Sequence, residues 1–440
     1  MGNPATINEL AAKSATSSAE PSEPRGRDRV SAKYIWLLIL ATFGSYIALV
    51  APIGISLALR IQDIDPDHVE RLGFVTGAGA LVAALSGPLV GMWSDRTRSR
   101  FGRRRPFAFC GIILGFCGLA ITAWAPTVPL LIVAWMFTQA GLATAMGSLL
   151  FSQADRLPEE QRGKVAGLSG FVQMIASVAG TGLASGFVGN NYLVFLVPGA
   201  VGLVLMLLWV ALIKEPDSRN SPLANPITLK FALSQMVFSP REYPDFAWNW
   251  LGRLLFNFGV TFATSFTTLF FASRLTDSGD VADLGGLIVA LALVGVLFTA
   301  GGALLGGFLS DKLNRRRIFI AVAGVVFTVG AIILAAGGEN LPILISGASL
   351  INLALGVFSA VDQAIVLDVL PNADSEAGRY LGVNGYSTTL AQSFAPMLAA
   401  PLLVLGATGS DKNYGLLFII AAACTLIGGT IVMLFVRKSN

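Results

Sequence analysis

The stretch Gly91-Met-Trp-Ser-Asp95-Arg96-Thr-Arg98-Ser-Arg100-Phe-Gly102-Arg103-Arg104-Arg105-Pro106-Phe107 sets six arginines in ten positions between two long apolar runs. Arginine is expensive inside a bilayer, so this turn must stay at one membrane surface while the flanking runs cross as helices. The pattern returns 216 residues later as Gly307-Phe-Leu-Ser-Asp311-Lys312. A second echo has nearly the same offset: Asp155-Arg-Leu-Pro158 and Gly163-Lys-Val-Ala-Gly167 match Asp368-Val-Leu-Pro371 and Gly378-Arg-Tyr-Leu-Gly382. Two matched loops at one spacing mark tandem membrane halves, an arrangement that predicts a shared central site and alternating access to it.

Working outward, the composition agrees. Of 440 residues, 54% are hydrophobic and 13% charged, against about 45–50% and about 25% in soluble domains, and mean hydropathy is +0.70. This excludes an ordinary soluble enzyme. Apolar runs bounded by charge, proline or polar clusters predict twelve helices, at 34–59, 69–93, 106–124, 129–154, 163–188, 192–213, 244–273, 284–309, 318–337, 342–369, 378–405 and 414–436. The expected fold is therefore an all-α membrane protein whose twelve transmembrane helices form two pseudo-symmetric six-helix bundles. Residues 1–33 read as a disordered tail, 34–213 as the first bundle, 214–243 as a linker with an amphipathic piece from Ile227 to Phe238, and 244–436 as the second bundle.

Lysine and arginine fall unevenly on the two sides. Twenty-five of 30 lie in the tail, the 94–105 loop and the other connections on that side, which places both termini in the cytoplasm. The net charge of +4 is accounted for by these loops and gives no reason to invoke nucleic acid. His68 is the single histidine, and Cys110, Cys117 and Cys424 all sit in apolar runs, so no disulfide framework, metal centre or cofactor is expected. No nucleotide or zinc-protease motif points to an enzyme, and no loop is long enough for a separate soluble domain.

The 91–107 stretch resembles the loop 2–3 signature of the major facilitator superfamily. Five residues, Thr97 to Phe101, separate Asp95-Arg96 from Gly102-Arg103-Arg104, where the common form has one. That longer version followed by Pro106-Phe107 is similar to the glycoside, pentoside and hexuronide cation symporters, and especially to their sucrose-transporter-like branch. The resemblance implies the major facilitator fold, a plasma-membrane location (the inner membrane in a bacterium) and a functional monomer. It also implies an inner-face latch in which Asp95 and Arg96, with Asp311 and Lys312 in the second half, act against a neighbouring helix end, helix 11 in the family. Asp155 and Asp368, at the inner ends of helices 4 and 10, read as gate or turn residues. Arg98, Arg100 and Arg103 to Arg105 are adequately explained as topology determinants.

Two charges lie within spans. Arg253 is nine positions past Pro244 in helix 7, and Asp362 is nine before Pro371 in helix 10, so both stand about 13 Å from the same end of their helices. Such groups are functional candidates by default. Asp362 is expected to be the proton-coupling carboxylate with Arg253 as its partner; a static pair bracing the two helices is the other reading. Helix 2 offers only Glu70, at its outer end, where some sodium-coupled sugar symporters carry acids within that helix, so protons are favoured over sodium.

Substrate-binding candidates are Tyr46 on helix 1, Gln139 on helix 4, Asn249, Trp250 and Asn257 on helix 7, Gln363 on helix 10 and Asn384 on helix 11. Each has an alternative use in satisfying a neighbouring helix. Plant-like sucrose carriers place an arginine about one turn before the helix 4 acid, whereas Leu149 and Leu150 stand there in this chain. The resulting expectation is a secondary transporter for proton-coupled uptake of a sugar or glycoside, with a proton-antiporting exporter of a drug or metabolite as the alternative. Its partners are a small-molecule substrate, protons and the lipid bilayer.

Overall fold

A computed structural model describes residues 29–219, 237–275, 280–371, 373–407 and 412–437. The expected disordered tail as far as residue 28 and residues 227–236 of the expected amphipathic piece lie outside the described residues, and Val237 and Phe238 are not helical. The helices are α1 (Ala32–Ile64), α2 (Pro66–Arg96), α3 (Arg105–Trp124), α4 (Val128–Arg156), α5 (Glu159–Ser185), α6 (Leu193–Leu212), α7, α8 (Val281–Leu313), α9 (Arg316–Ala336), α10 (Leu341–Val369), α11 (Ala373–Val404) and α12 (Tyr414–Phe435). Among the described residues eleven helices are each long and apolar enough to cross a membrane, and α7, Pro244–Ser265 continued by Thr267–Leu275 after a 41° bend, makes twelve when counted as one span.

Local chemistry sets the ends of these helices. Proline opens α3, α4, α7 and α10, where a missing N–H leaves no intrahelical bond unmade. Ser31, Asn340 and Asn413 cap α1, α10 and α12 by accepting from the N–H three residues on. Asn314 ends α8 in the left-handed conformation, φ 49°. Within α1, Pro52 opens a π-helical turn over Pro52–Ser56, and the displaced Gly54 carbonyl accepts from Thr268 Oγ1 of the second half at 2.7 Å.

Glycine allows the close helix approaches expected of a transporter. A Cβ on Gly141 of α4 would stand 2.2 Å from the Gly115 nitrogen of α3, and one on Gly302 of α8 would stand 2.2 Å from the Leu353 carbonyl of α10. Packing of this kind replaces the hydrophobic driving force that is absent between helices in lipid.

The apolar core is divided unequally along the membrane normal. Toward the face opposite the chain termini, here the far face, one continuous core takes Ile55, Val75 and Trp135 from the first half and Phe262, Phe271 and Ala395 from the second. Toward the terminal face there are two separate cores, one built within residues 34–213 and the other within 246–436. The halves are joined at one end and apart at the other.

Candidate functional site

The join at the far face is polar as well as apolar. Glu70 and Lys412, one from each half and both largely buried, pair at 2.8 Å, and Lys412 Nζ also donates to the Asp67 carbonyl at 2.9 Å. Val281 N donates to Gln62 Oε1 at 3.1 Å. α2 and α11 touch here so closely that a Cβ on Gly73 would stand 2.0 Å from the Pro396 carbonyl, and one on Gly77 2.5 Å from that of Ser393. Further toward the terminal face the same helices diverge: a Cβ on Gly87, Gly382 or Gly385 would meet nothing within 4 Å. Gly163, Gly167 and Gly170 on α5 are equally open.

Two intramembrane charges meet inside the second half. Arg253 of α7 forms a short ion pair with Asp362 of α10, and its Nη2 donates to Thr388 Oγ1 of α11 at 3.3 Å. The Asp362 side chain is 3% exposed and that of Arg253 18%, so the carboxylate is the more deeply buried of the two. One turn on, Phe256 of α7 stacks on Phe358 of α10, ring centroids 3.7 Å apart and planes within 3°. This stack fixes the two helices at the depth where the charges meet. Among the described residues Arg253 Nε has no hydrogen-bond partner, a buried donor that its one acid and one hydroxyl leave unmet.

The other candidates distribute differently. Asn257 Nδ2 donates to the Arg253 carbonyl at 2.8 Å and belongs to this cluster. Trp250 spends its indole N–H on the Val383 carbonyl of α11 at 2.9 Å. Asn249 is fully buried, one turn from Phe246 in the apolar core of the second half, and Asn384 is 4% exposed. Among the described residues neither amide atom of Asn249 has a hydrogen-bond partner, nor has Oδ1 of Asn384. Gln139 packs beside Gly79 of α2, Tyr46 is half-buried on α1, and Gln363 is exposed. Among the described residues, none of these last three hydrogen-bonds to the Arg253 and Asp362 pair. Thr388 was invisible to the sequence reading, since a hydroxyl on an apolar helix has no signature until its neighbour is known.

At the terminal face each half carries an Asp–Arg–Asp clamp. In the first, Arg104 at the start of α3 binds Asp95 at the end of α2 at 2.6 Å and Asp155 at the end of α4 at 2.8 Å. Ser94 Oγ accepts a further short bond from Arg104, and Arg103 reaches Asp155 at 3.1 Å. In the second, Arg316 at the start of α9 binds Asp311 at 2.9 Å and Asp368 at 2.8 Å. Asp95 is therefore held within its own half, and Arg96 and Lys312 are exposed outside the clamps. Arg104, which the sequence reading assigned to topology alone, is only 6% exposed and is the hub of the network.

The lengthened loop is docked as well. Ser218 Oγ accepts from Ser99 N at 2.9 Å, and Glu215 Oε2 accepts from Arg104 N at 3.0 Å and Arg105 N at 3.2 Å. Gly102, at φ +86°, brings the backbone against Glu215. Nearby, the hydrogen bond from Arg219 holds the Asp217 carboxylate below its ordinary pKa.

The model of the Major Facilitator Superfamily matches residues 35–396 and 282–440. Local similarity to curated proteins is shorter. The chain is 47% identical over 55 residues to the general alpha-glucoside permease of Schizosaccharomyces pombe, covering 12% of this chain and 10% of that one. It is 30% identical over 153 residues to myo-inositol transporter 3C of Cryptococcus neoformans, covering 33% and 24%. These matches thus span a quarter or less of the relatives' own length. Among solved structures, the nucleoside transporter NupG (D323A mutant) superposes with a TM-score of 0.75 at 11% identity, covering 92% of this chain and 100% of that one.

Proposed function

The chain belongs to the Major Facilitator Superfamily, and on that footing we propose that it is a proton-coupled symporter that takes up a sugar or glycoside by alternating access. The observation that carries this reading is the Arg253 and Asp362 pair buried across α7, α10 and α11. A carboxylate so placed is stable as an anion only while the guanidinium stays with it. Protonation removes the attraction and frees Arg253, whose unmet Nε is already a spare donor, to bind a substrate hydroxyl. Substrate binding and proton binding then favour the same state, which is coupling.

The sugar part of the reading draws on the lengthened 97–101 loop and on local similarity to a glucoside permease and an inositol transporter. We read both termini as cytoplasmic from the basic loops, and on that reading the described conformation, joined at the far face, is inward-open. Asp95 and Asp311, together with Arg96 and Lys312, would engage helix ends of the opposite half when the inner face closes. The residues proposed to meet substrate are drawn from Tyr46, Gln139, Asn249, Trp250, Asn257, Gln363 and Asn384.

The test is transport by purified protein in liposomes loaded with a pH-sensitive dye. Sugar-dependent internal acidification from a panel of mono- and disaccharides is the expected result. No proton movement with any sugar, together with proton-driven expulsion of hydrophobic compounds, would replace this reading with that of an exporter.

A further inference from the structure

Three cations, Lys33, Arg156 and Lys214, line a cavity of about 600 Å³ at the terminal face, between the first turn of α1 and the last residues of α4 and α6. Among the described residues none of them joins an ion pair. The carboxylate on the cavity wall, Asp155, is already shared by Arg103 and Arg104. Three cations against one carboxylate already shared with other arginines leave the cavity wall net positive and concentrate a positive potential there.

Arg156 is positioned in advance. Its Nη2 donates to the Lys214 carbonyl at 2.6 Å, and its guanidinium lies 5.1 Å from the centre of the Tyr34 ring. Tyr34 is fixed in turn by a 2.8 Å hydrogen bond with Ser152 Oγ. The remaining guanidinium N–H groups are left for an oxyanion, to which a rigid planar fork is well matched.

The position of the cavity narrows the ligand. Lys33, Trp36 and Leu40 follow one another at helical spacing on one stripe of α1, and Trp36 is 60% exposed. A lysine above an exposed indole above exposed leucine is the order of groups met on passing from headgroups into acyl chains. Leu212 of α6, on the cavity wall, is exposed beside it.

We infer that this cavity binds the phosphate of an anionic phospholipid, whose acyl chains lie along the exposed α1 stripe. The site is separate from the Arg253 and Asp362 pair and stands or falls without it. Basic pockets at membrane level draw such headgroups at about 1 kcal/mol per cation.

The test uses delipidated protein in neutral detergent, titrated with short-chain phosphatidylglycerol, phosphatidylcholine and inorganic phosphate, with binding read by native mass spectrometry. Phosphatidylglycerol should bind in preference to phosphatidylcholine. In the Lys33→Gln/Lys214→Gln variant, which alters two exposed side chains, its affinity should fall about thirtyfold, at 1.4 kcal/mol per factor of ten. The variant's melting temperature without lipid should not change. Equal binding of the two lipids, or undiminished phosphatidylglycerol binding by the variant, overturns the inference. Inorganic phosphate binding as tightly as phosphatidylglycerol also overturns it, in favour of a soluble anion.

Discussion

The two Asp–Arg–Asp clamps occupy equivalent places in the two halves and differ in their surroundings. Arg104 is enclosed: its side chain is 7% exposed, it lies 5.0 Å from the Phe151 ring centre, and the loop around it is tied to Glu215 and Ser218. The Arg316 side chain is 27% exposed and its partners Asp311 and Asp368 are 63% and 32% exposed. Duplication kept the charge pattern, and burial decides how much each copy matters. An enclosed guanidinium stripped of an acid loses far more than an exposed one does.

This comparison can be broken by substitution. Arg104→Gln should destabilise by about 2–3 kcal/mol, somewhat less than a fully buried pair because Asp95 and Asp155 reach solvent; thermal unfolding in detergent measures it, and a shift no larger than that of the second clamp would erase the asymmetry. Gly102→Ala should destabilise by about 2 kcal/mol, since φ +86° disfavours a side chain and the new Cβ would stand 2.3 Å from that of Glu215. Its effect should vanish largely in an Arg104→Gln background if loop and clamp are one unit, which a double-mutant cycle reads. Ser218→Ala should lose about 1 kcal/mol and leave Ser99 N unpaired, detectable as faster amide exchange at that position. Arg316→Gln should change stability by about 0.5 kcal/mol or less, and a larger drop in its melting temperature would mean that the second clamp is not a surface feature.

Most of the fold was legible because membrane burial writes a coarse pattern. Apolar runs located the spans seen among the described residues, since each depends on local composition. The Arg253 and Asp362 contact was also readable, because intramembrane charge is rare and matched depth restricts the partner. What escaped depended on the third dimension. Arg104 looked like one of several loop arginines, and only folding singles it out by placing it between Asp95 and Asp155. Glu70 and Lys412 are 342 positions apart in different halves, and no periodicity links them. The full burial of Asn249 was not readable either, since helix boundaries do not fix which way a side chain of α7 faces. The bend between Ser265 and Thr267 is likewise unmarked by proline or glycine.

We propose that Asp362 couples proton and substrate movement and does not merely brace α7 against α10. The most direct measurement compares Asp362→Asn with wild type in liposomes, reading exchange of labelled substrate at equal concentrations alongside accumulation driven by a proton gradient. Exchange should persist and lose its pH dependence while gradient-driven accumulation is abolished. Accumulation that survives in the variant, or loss of exchange and accumulation together with a collapse in melting temperature that the paired Arg253→Gln/Asp362→Asn substitution restores along with coupled uptake, would contradict it and make the pair a structural brace.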